Sequence, residues 1–200
     1  MSCQPDAVVI VVCKAPERGR VKTRLAADIG DDNALRVYSL MMATLFANLE
    51  ISRLYDVCAC VHGNIQLVQS GTIDPITQHG ETLGDRICNA IRDCDAYKMK
   101  IVIGSDTPNI TSAMVHDAMH ALDTADIVIG PAVDGGYYLI GMKQLHTQLF
   151  EGMPWSTDQI FTQTCAKMDA ASLRYVVLPK LRDIDTIDDL KAVMPELLPS

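Results

Sequence analysis

The chain has 200 residues, 48% of them hydrophobic, and a formal net charge of −8. That is enough for one sizeable core over residues 1–200, and too acidic for a general nucleic-acid surface, which needs a broad basic face. No apolar run approaches the ~20 residues of a membrane span, and Met1–Asp6 lacks the basic start of a secretory signal.

The apolar run Ala7–Cys13 predicts a buried strand. The next eleven residues, Lys14 to Arg24, carry five cations and one anion in an acidic chain. Pro16 and Gly19 inside this window argue for a shaped loop. Cations and a glycine directly after a first strand suit a bound polyphosphate, and a solvated basic loop is the plainer alternative. Asp31 or Asp32 caps a predicted amphipathic helix over Asn33–Leu49, in which Met41 and Met42 read as packing. Tyr55–Val61 predicts a second strand, with Cys58 and Cys60 on one face. The seven cysteines, an odd number in apolar or helical contexts, read as reduced core thiols of a cytoplasmic protein.

Leu83, Ile87, Ala90 and Ile91 give helical spacing over Glu81–Cys94. A short strand, Ile101–Gly104, precedes a helix over Ser112–Leu122. His116 and His120 are four apart on that helix, but no third zinc ligand is evident. Ile127–Ile129 and Tyr137–Gly141 predict two more strands. Ser156 and Gln159 form a capping box for a helix through Lys167, Arg174–Leu178 is a last strand, and Thr186 with Asp189 opens a last helix. Alternating strands and helices imply a mostly parallel sheet covered on both faces, with ligands outside the carboxyl ends of the strands.

Chemically capable residues follow those strands. Asp106, after Gly104-Ser105, either helps hold a divalent cation against phosphate oxygens or starts a turn before Thr107-Pro108. Asp134, Gly135, Gly136, Tyr137 and Tyr138 either serve a second substrate or form a hairpin with tyrosines packed in the sheet. Neighbouring strand residues face opposite sides, so at least one tyrosine is expected in the packing. Asp183 and Asp185 point the same way in extended chain, which suits a metal or a ribose hydroxyl. Trp155 precedes a predicted helix start, where an acceptor could stack.

These segments together resemble the radical-SAM/selenodomain-associated transferase family, often labelled an arsenosugar-biosynthesis glycosyltransferase. The resemblance is carried, in order, by Lys14-Ala15-Pro16 with Gly19 to Leu25, Leu83 to Arg86, Gly104 to Pro108, Gly130 to Ala132 with Asp134 to Gly141, Trp155-Ser156-Thr157, and Asp183 to Thr186 with Asp188 to Leu190. It spans nearly the whole chain. It implies a GT-A-type α/β fold, a three-layer α/β/α sandwich with a mostly parallel, mixed central sheet. It implies a nucleotide-dependent transferase, with a metal-assisted glycosyltransferase using a nucleotide-sugar donor as the leading reading. The wider nucleotide-diphospho-sugar transferase superfamily includes guanylyltransferases with a similar lysine-bearing first loop. A nucleotidyltransferase acting on a phosphorylated metabolite is therefore the alternative, and an inert nucleotide-binding protein the third.

By the same resemblance Lys14, Pro16, Gly19, Arg20, Lys22, Arg24 and Arg86 bind the nucleotide and its phosphates. Asp106 and Asp134 are catalytic, and Gly135, Gly136, Tyr137 and Trp155 hold the acceptor. Asp106 and Asp185 ligate Mg²⁺ or Mn²⁺. Ser105-Asp106-Thr107 departs from the Asp-x-Asp of many metal-dependent glycosyltransferases by supplying one carboxylate. The implied partners are a nucleotide sugar or nucleoside triphosphate and a small-molecule acceptor, without nucleic acid or a membrane span; a homodimer stays open.

Overall fold

The structure is a computed structural model that describes residues 5–199. Met1 to Gln4, part of the segment read for a leader, and Cys3 with them, lie outside the described residues. In chain order the elements are β1 (Ala7–Lys14), α1 (Thr23–Ile29), α2 (Asp31–Leu49), β2 (Tyr55–His62), β3 (Ile76–Thr77), α3 (Leu83–Asp93) and β4 (Met99–Gly104). They continue with α4 (Ser112–Thr124), β5 (Ile127–Pro131), β6 (Tyr137–Met142), α5 (Ile160–Ala170), β7 (Tyr175–Val177) and α6 (Ile187–Val193).

One seven-stranded sheet runs in the order β3-β2-β1-β4-β6-β5-β7. β1 pairs in parallel with β2 and β4, β2 with β3, and β5 with β7, while β6 runs antiparallel between β4 and β5. The sheet is therefore mixed and mostly parallel. Its central strand explains itself: Ala7 to Val11 are all inaccessible, and a run without polar alternation is what a strand buried on both faces requires. Val9 and Val11 pack with α2 and α4 residues such as Leu45 and Val115. Val8 and Ile10 pack with Ile87 and Ile91 of α3 and Met168 of α5. These two cores make the three layers. A third cluster, Leu25, Val37, Met41, Ile184 and Leu190, fastens α1, α2 and α6 at one end.

Parallel strands end together, so the turns after β1, β2, β4, β5 and β7 gather at one edge, where β6 begins. Asp31 and Asp32 lie in the first turn of α2, with Gly30 as its cap at φ 81. The cap of the last helix is as expected: Thr186 and Asp189 form a capping box. The same device at Thr82 and Asp85 starts α3 at Leu83, two residues later than the spacing implied.

The expected Ser156–Gln159 capping box does not form. Ser156 adopts φ 68, outside the extended range a capping residue takes, and α5 starts at Ile160 without a side-chain cap. Helix α1 has no sequence signature, since it opens on Lys22 in the left-handed region, φ 47 and ψ 44, with no capping side chain. The six described cysteines are unbridged, and no described helix is long and apolar enough to cross a membrane.

Candidate active site

A cavity of about 490 Å³ opens over the strand ends, bounded by residues from β1 (Val12, Cys13, Lys14), the start of α1 (Val21 to Arg24) and the turns after β3, β4 and β7. Lys22, Asp106 and Asp185 meet there. The left-handed turn at Lys22 aims its side chain inward, where it is only 3% exposed. Its Nζ donates to Asp106 Oδ1 at 2.5 Å, to the main-chain oxygen of Ile184 at 2.5 Å and to Asp185 Oδ1 at 3.1 Å. The amide of Ile184 in turn donates to the carbonyl of Asp106 at 2.9 Å, which ties the segment before α6 to the turn after β4. Tyr38 of α2 braces the floor, accepting from Lys14 N at 3.0 Å and donating to Lys14 O at 2.9 Å. Ser105 Oγ lies 3.4 Å from the same hydroxyl.

The cations of the first loop have separate fates. Arg18 binds Asp32 at 2.6 Å, Arg20 binds Glu17 at 3.2 Å, and Arg24 lies 3.6 Å from Asp185. Among the described residues no carboxylate lies within 4.0 Å of Lys14 or Arg86. Arg86 is steadied by the carbonyl of Gly80 at 3.2 Å. Lys14, Lys22, Arg24 and Arg86 all line the cavity. Gly19 and Arg20 line an adjoining hollow of about 330 Å³ with Lys14, Thr23 and His62, and half-buried Pro16 sits in the loop that walls it. Gly19 turns the loop at φ 73, a backbone state that favours glycine.

The turn that carries Asp134 is held differently. Asp134 Oδ1 accepts from the amide of Gly136 at 2.8 Å. Gly135 sits at φ 91, its carbonyl accepts from Phe161 N at 2.9 Å, and a Cβ there would lie 2.1 Å from the carbonyl oxygen of Asp158. Close chain packing against Asp158 is reason enough for a glycine at this position. The tyrosines face opposite sides. Tyr138 covers Gly130 and donates to Pro179 O at 3.0 Å. Tyr137 packs into the α3 and α5 layer, where its hydroxyl has no partner among the described residues. Trp155 packs in that layer too, against Gly84, where a Cβ would stand 3.0 Å from the indole. Neither Tyr137 nor Trp155 lines the cavity; Ser156 does.

Asp183 lies near Asp134, Asp185 and Asp106. Burial first, then the Asp134 charge, push its carboxyl up to about 6. His116 meets Ser52 at 2.9 Å and His120 pairs loosely with Asp123 at 3.7 Å, both away from this edge. Ser105, from the Gly104-to-Pro108 segment, lines the cavity, as do Tyr38, His62 and Gln78, which do not stand out in the sequence. Tyr38 and Gln78 carried no motif signal. His62 ends a strand, which is the one hint it gave.

Among the described residues no group of three or more His, Cys, Asp or Glu side chains is arranged to hold a metal ion. Asp106, 49% exposed, and Asp185, 34% exposed, still present hard oxygens to the cavity. Two such carboxylates completed by substrate phosphates fit the way Mg²⁺ is commonly held. The Lys22 ammonium already supplies one positive charge between them.

Residues 59–157 match the profile of a family described as an uncharacterized protein conserved in bacteria (DUF2064). No curated protein matches the chain. A crystal structure from Desulfovibrio desulfuricans G20, described as a "putative nucleotide-diphospho-sugar transferase", superposes with a TM-score of 0.90 at 29% identity, over 98% of this chain and 90% of that one. A CMP:2-keto-3-deoxy-manno-octonic acid synthetase complexed with CTP superposes with a TM-score of 0.62 at 12% identity, over 96% and 99% of the two chains. Rv0371c of Mycobacterium tuberculosis H37Rv, in complex with manganese, gives 0.58 at 12% identity, over 94% and 98%. The last two bear on the fold alone. The sandwich is the GT-A-type fold of nucleotide-diphospho-sugar transferases.

Proposed function

We propose that this protein is a nucleotide-dependent transferase that moves a sugar from a nucleotide-sugar donor to a hydroxyl of a small-molecule acceptor. Its coarse class, an enzyme that transfers a group, rests on the fold shared along nearly the whole chain with the Desulfovibrio protein. One observation supports the finer reading: beside the cations of the cavity, Asp134 and Asp183 form a further pair of neighbouring carboxylates. Lys14, Arg24 and Arg86 line the cavity as cations for a diphosphate. Asp134 stands near enough to raise the carboxyl of Asp183, close to Asp185 and Asp106. The Asp134–Asp183 pair disfavours a phosphorylated acceptor and suits a neutral hydroxyl. The arsenosugar-type transfer implied by the sequence resemblance is one reaction of this class.

In this mechanism Lys14, Arg24 and Arg86 donate charge-assisted hydrogen bonds to the diphosphate and stabilise charge that grows on it as the sugar leaves. Lys22 keeps Asp106 and Asp185 at fixed separation. A divalent ion on these two carboxylates supplies, when bound, further charge compensation at the diphosphate. Asp134, its Oδ1 anchored by Gly136, keeps Oδ2 for the proton of the acceptor hydroxyl.

A second reading, nucleotidyl transfer with release of pyrophosphate, is supported by the cation-rich first loop and by the fold shared with a CTP-bound synthetase. The two part in their products. The purified protein is incubated with Mg²⁺, a panel of nucleotide sugars and nucleoside triphosphates, and candidate acceptors. Free nucleoside diphosphate from a nucleotide sugar is the expected outcome. Pyrophosphate from a triphosphate overturns the glycosyl reading in favour of the second. Failure of every nucleotide to bind refutes both.

A further inference from the structure

We propose that Tyr38 is a positioning residue for Asp106: its hydroxyl takes the place that β4 would otherwise fill beside Lys14, and so frees Asp106 from the sheet for the diphosphate site. This rests on the nucleotide-transferase reading above.

β1 runs beside β2 as far as Lys14, which pairs with His62, but beside β4 only as far as Val12, which pairs with Gly104. Continued by two residues, the second register would set Asp106 beside Lys14. Main-chain groups along a strand between two neighbours point alternately to one and to the other. Asp6 O accepts from Met99 N of β4 at 3.0 Å, and Ala15 N donates to His62 O of β2 at 2.8 Å. The N–H and C=O of Lys14 therefore face the side that β4 has left. Main-chain groups inside a fold need partners. Tyr38 supplies both: its hydroxyl accepts from Lys14 N at 3.0 Å and donates to Lys14 O at 2.9 Å. One side-chain oxygen from α2 does there what the main chain of β4 would do.

The hydroxyl has a single proton, which goes to Lys14 O, so Ser105 Oγ, 3.4 Å away, donates to it. That contact holds the residue just before Asp106. Free of the ladder, Asp106 turns its carbonyl to Ile184 N at 2.9 Å and its Oδ1 to Lys22 Nζ at 2.5 Å, at the edge of the cavity. Tyr38 is itself fixed. It is 2% exposed, in the core layer that also holds Leu45 and Val115. Burial raises its phenol above the ordinary range, so it keeps its proton under assay conditions. A phenylalanine would fill the same space but leave both main-chain groups of Lys14 open. β4 could then advance along β1 and draw Asp106 toward the ladder, away from Lys22.

The test takes whichever of CDP, ADP, GDP and UDP binds wild type best. Its Kd with Mg²⁺ is measured by titration calorimetry on wild type, Tyr38→Phe, Asp106→Asn and the double variant. Tyr38→Phe is expected to weaken binding about five- to tenfold, the size of one hydrogen bond, and Asp106→Asn by at least as much. A residue that acts through Asp106 has nothing left to contribute once that carboxylate is gone, so the double variant should bind within about twofold of Asp106→Asn. A merely structural tyrosine would lower Tm and leave the two losses independent. Should Tyr38→Phe fail to fold, Ser105→Ala, which breaks the contact between the hydroxyl and the residue before Asp106, enters the same cycle. Binding by Tyr38→Phe within about twofold of wild type, or losses that multiply in the double variant, overturns the role of Tyr38 and leaves the transferase reading standing. Asp106→Asn binding as wild type does removes Asp106 from the diphosphate site and overturns this inference with it. No binding by any of the four nucleotides overturns the transferase reading as well.

Discussion

Replacing Lys22 by methionine keeps most of the aliphatic stem and removes the ammonium that three oxygens share. The lysine is 3% exposed, so its charge-assisted bonds are made away from water on one side, while Asp106 at 49% and Asp185 at 34% remain open to it on the other. Stranding a partner inside a buried pair costs about 3–5 kcal/mol. Here the stranded carboxylates can rehydrate, so the lower range for hydrogen bonds to charged groups, about 1.5–3 kcal/mol, applies. For a chain of this length each kcal/mol moves Tm by about 2–4 °C, giving an expected drop of roughly 3–12 °C. Two carboxylates without their cation should also favour a divalent ion more strongly. Calorimetric melting is therefore run with and without millimolar Mg²⁺, and Mg²⁺ should raise the Tm of the variant by more than that of wild type. A variant that melts with wild type and responds equally to Mg²⁺ would refute the view that Lys22 acts as the fixed cation of this site.

Three further outcomes are expected. Asp134→Asn keeps an oxygen to accept from Gly136 N, so nucleotide affinity should persist while kcat falls by tenfold or more on the order of general-base losses; equal loss of nucleotide binding, measured by titration calorimetry, would count against an acceptor-side role. The Asp183 carboxyl is raised from 3.8 to about 6, so its contribution to stability is present below pH 4 and is lost as pH rises through 6. Asp183→Asn should thus melt above wild type at pH 7.5 and level with it near pH 4, and parallel Tm curves against pH would contradict this. Gly135→Ala introduces a Cβ 2.1 Å from Asp158 O at φ 91, which should cost at least about 1–3 kcal/mol in urea unfolding, and a neutral result would mean the turn can relax.

The strands were legible because chains buried on both faces leave an unmistakable apolar run: Ala7–Cys13 differs from β1 by one residue. Thr186 and Asp189 were legible because a capping box is a local device written within four residues. Two-residue β3 leaves no periodicity to detect, and with it Gln78 escaped notice. Asp106 and Asp185 could each be picked out at strand ends. Their junction through Lys22 could not, since it links positions 84 and 163 residues apart and depends on one left-handed turn. The packing of Gly135 against Asp158, 23 residues on, is a tertiary constraint that its Asp134-Gly135-Gly136 setting does not reveal.

The segment around Ile184 closes the site by main-chain pairing with Asp106 and by burying Ile184 and Leu190 against Leu25, Val37 and Met41. A growing chain emerges N-terminus first, and the sheet strands β1 to β6 precede this segment by some forty residues or more. The phosphate-facing loop and most of the sheet can therefore exist before Asp185 reaches Lys22. The Lys22–Asp185 contact forms only once residues 183–190 have emerged, and a chain cut short before residue 183 would keep most of the sheet and the cations of the first loop without the carboxylate that Lys22 shares with Asp106.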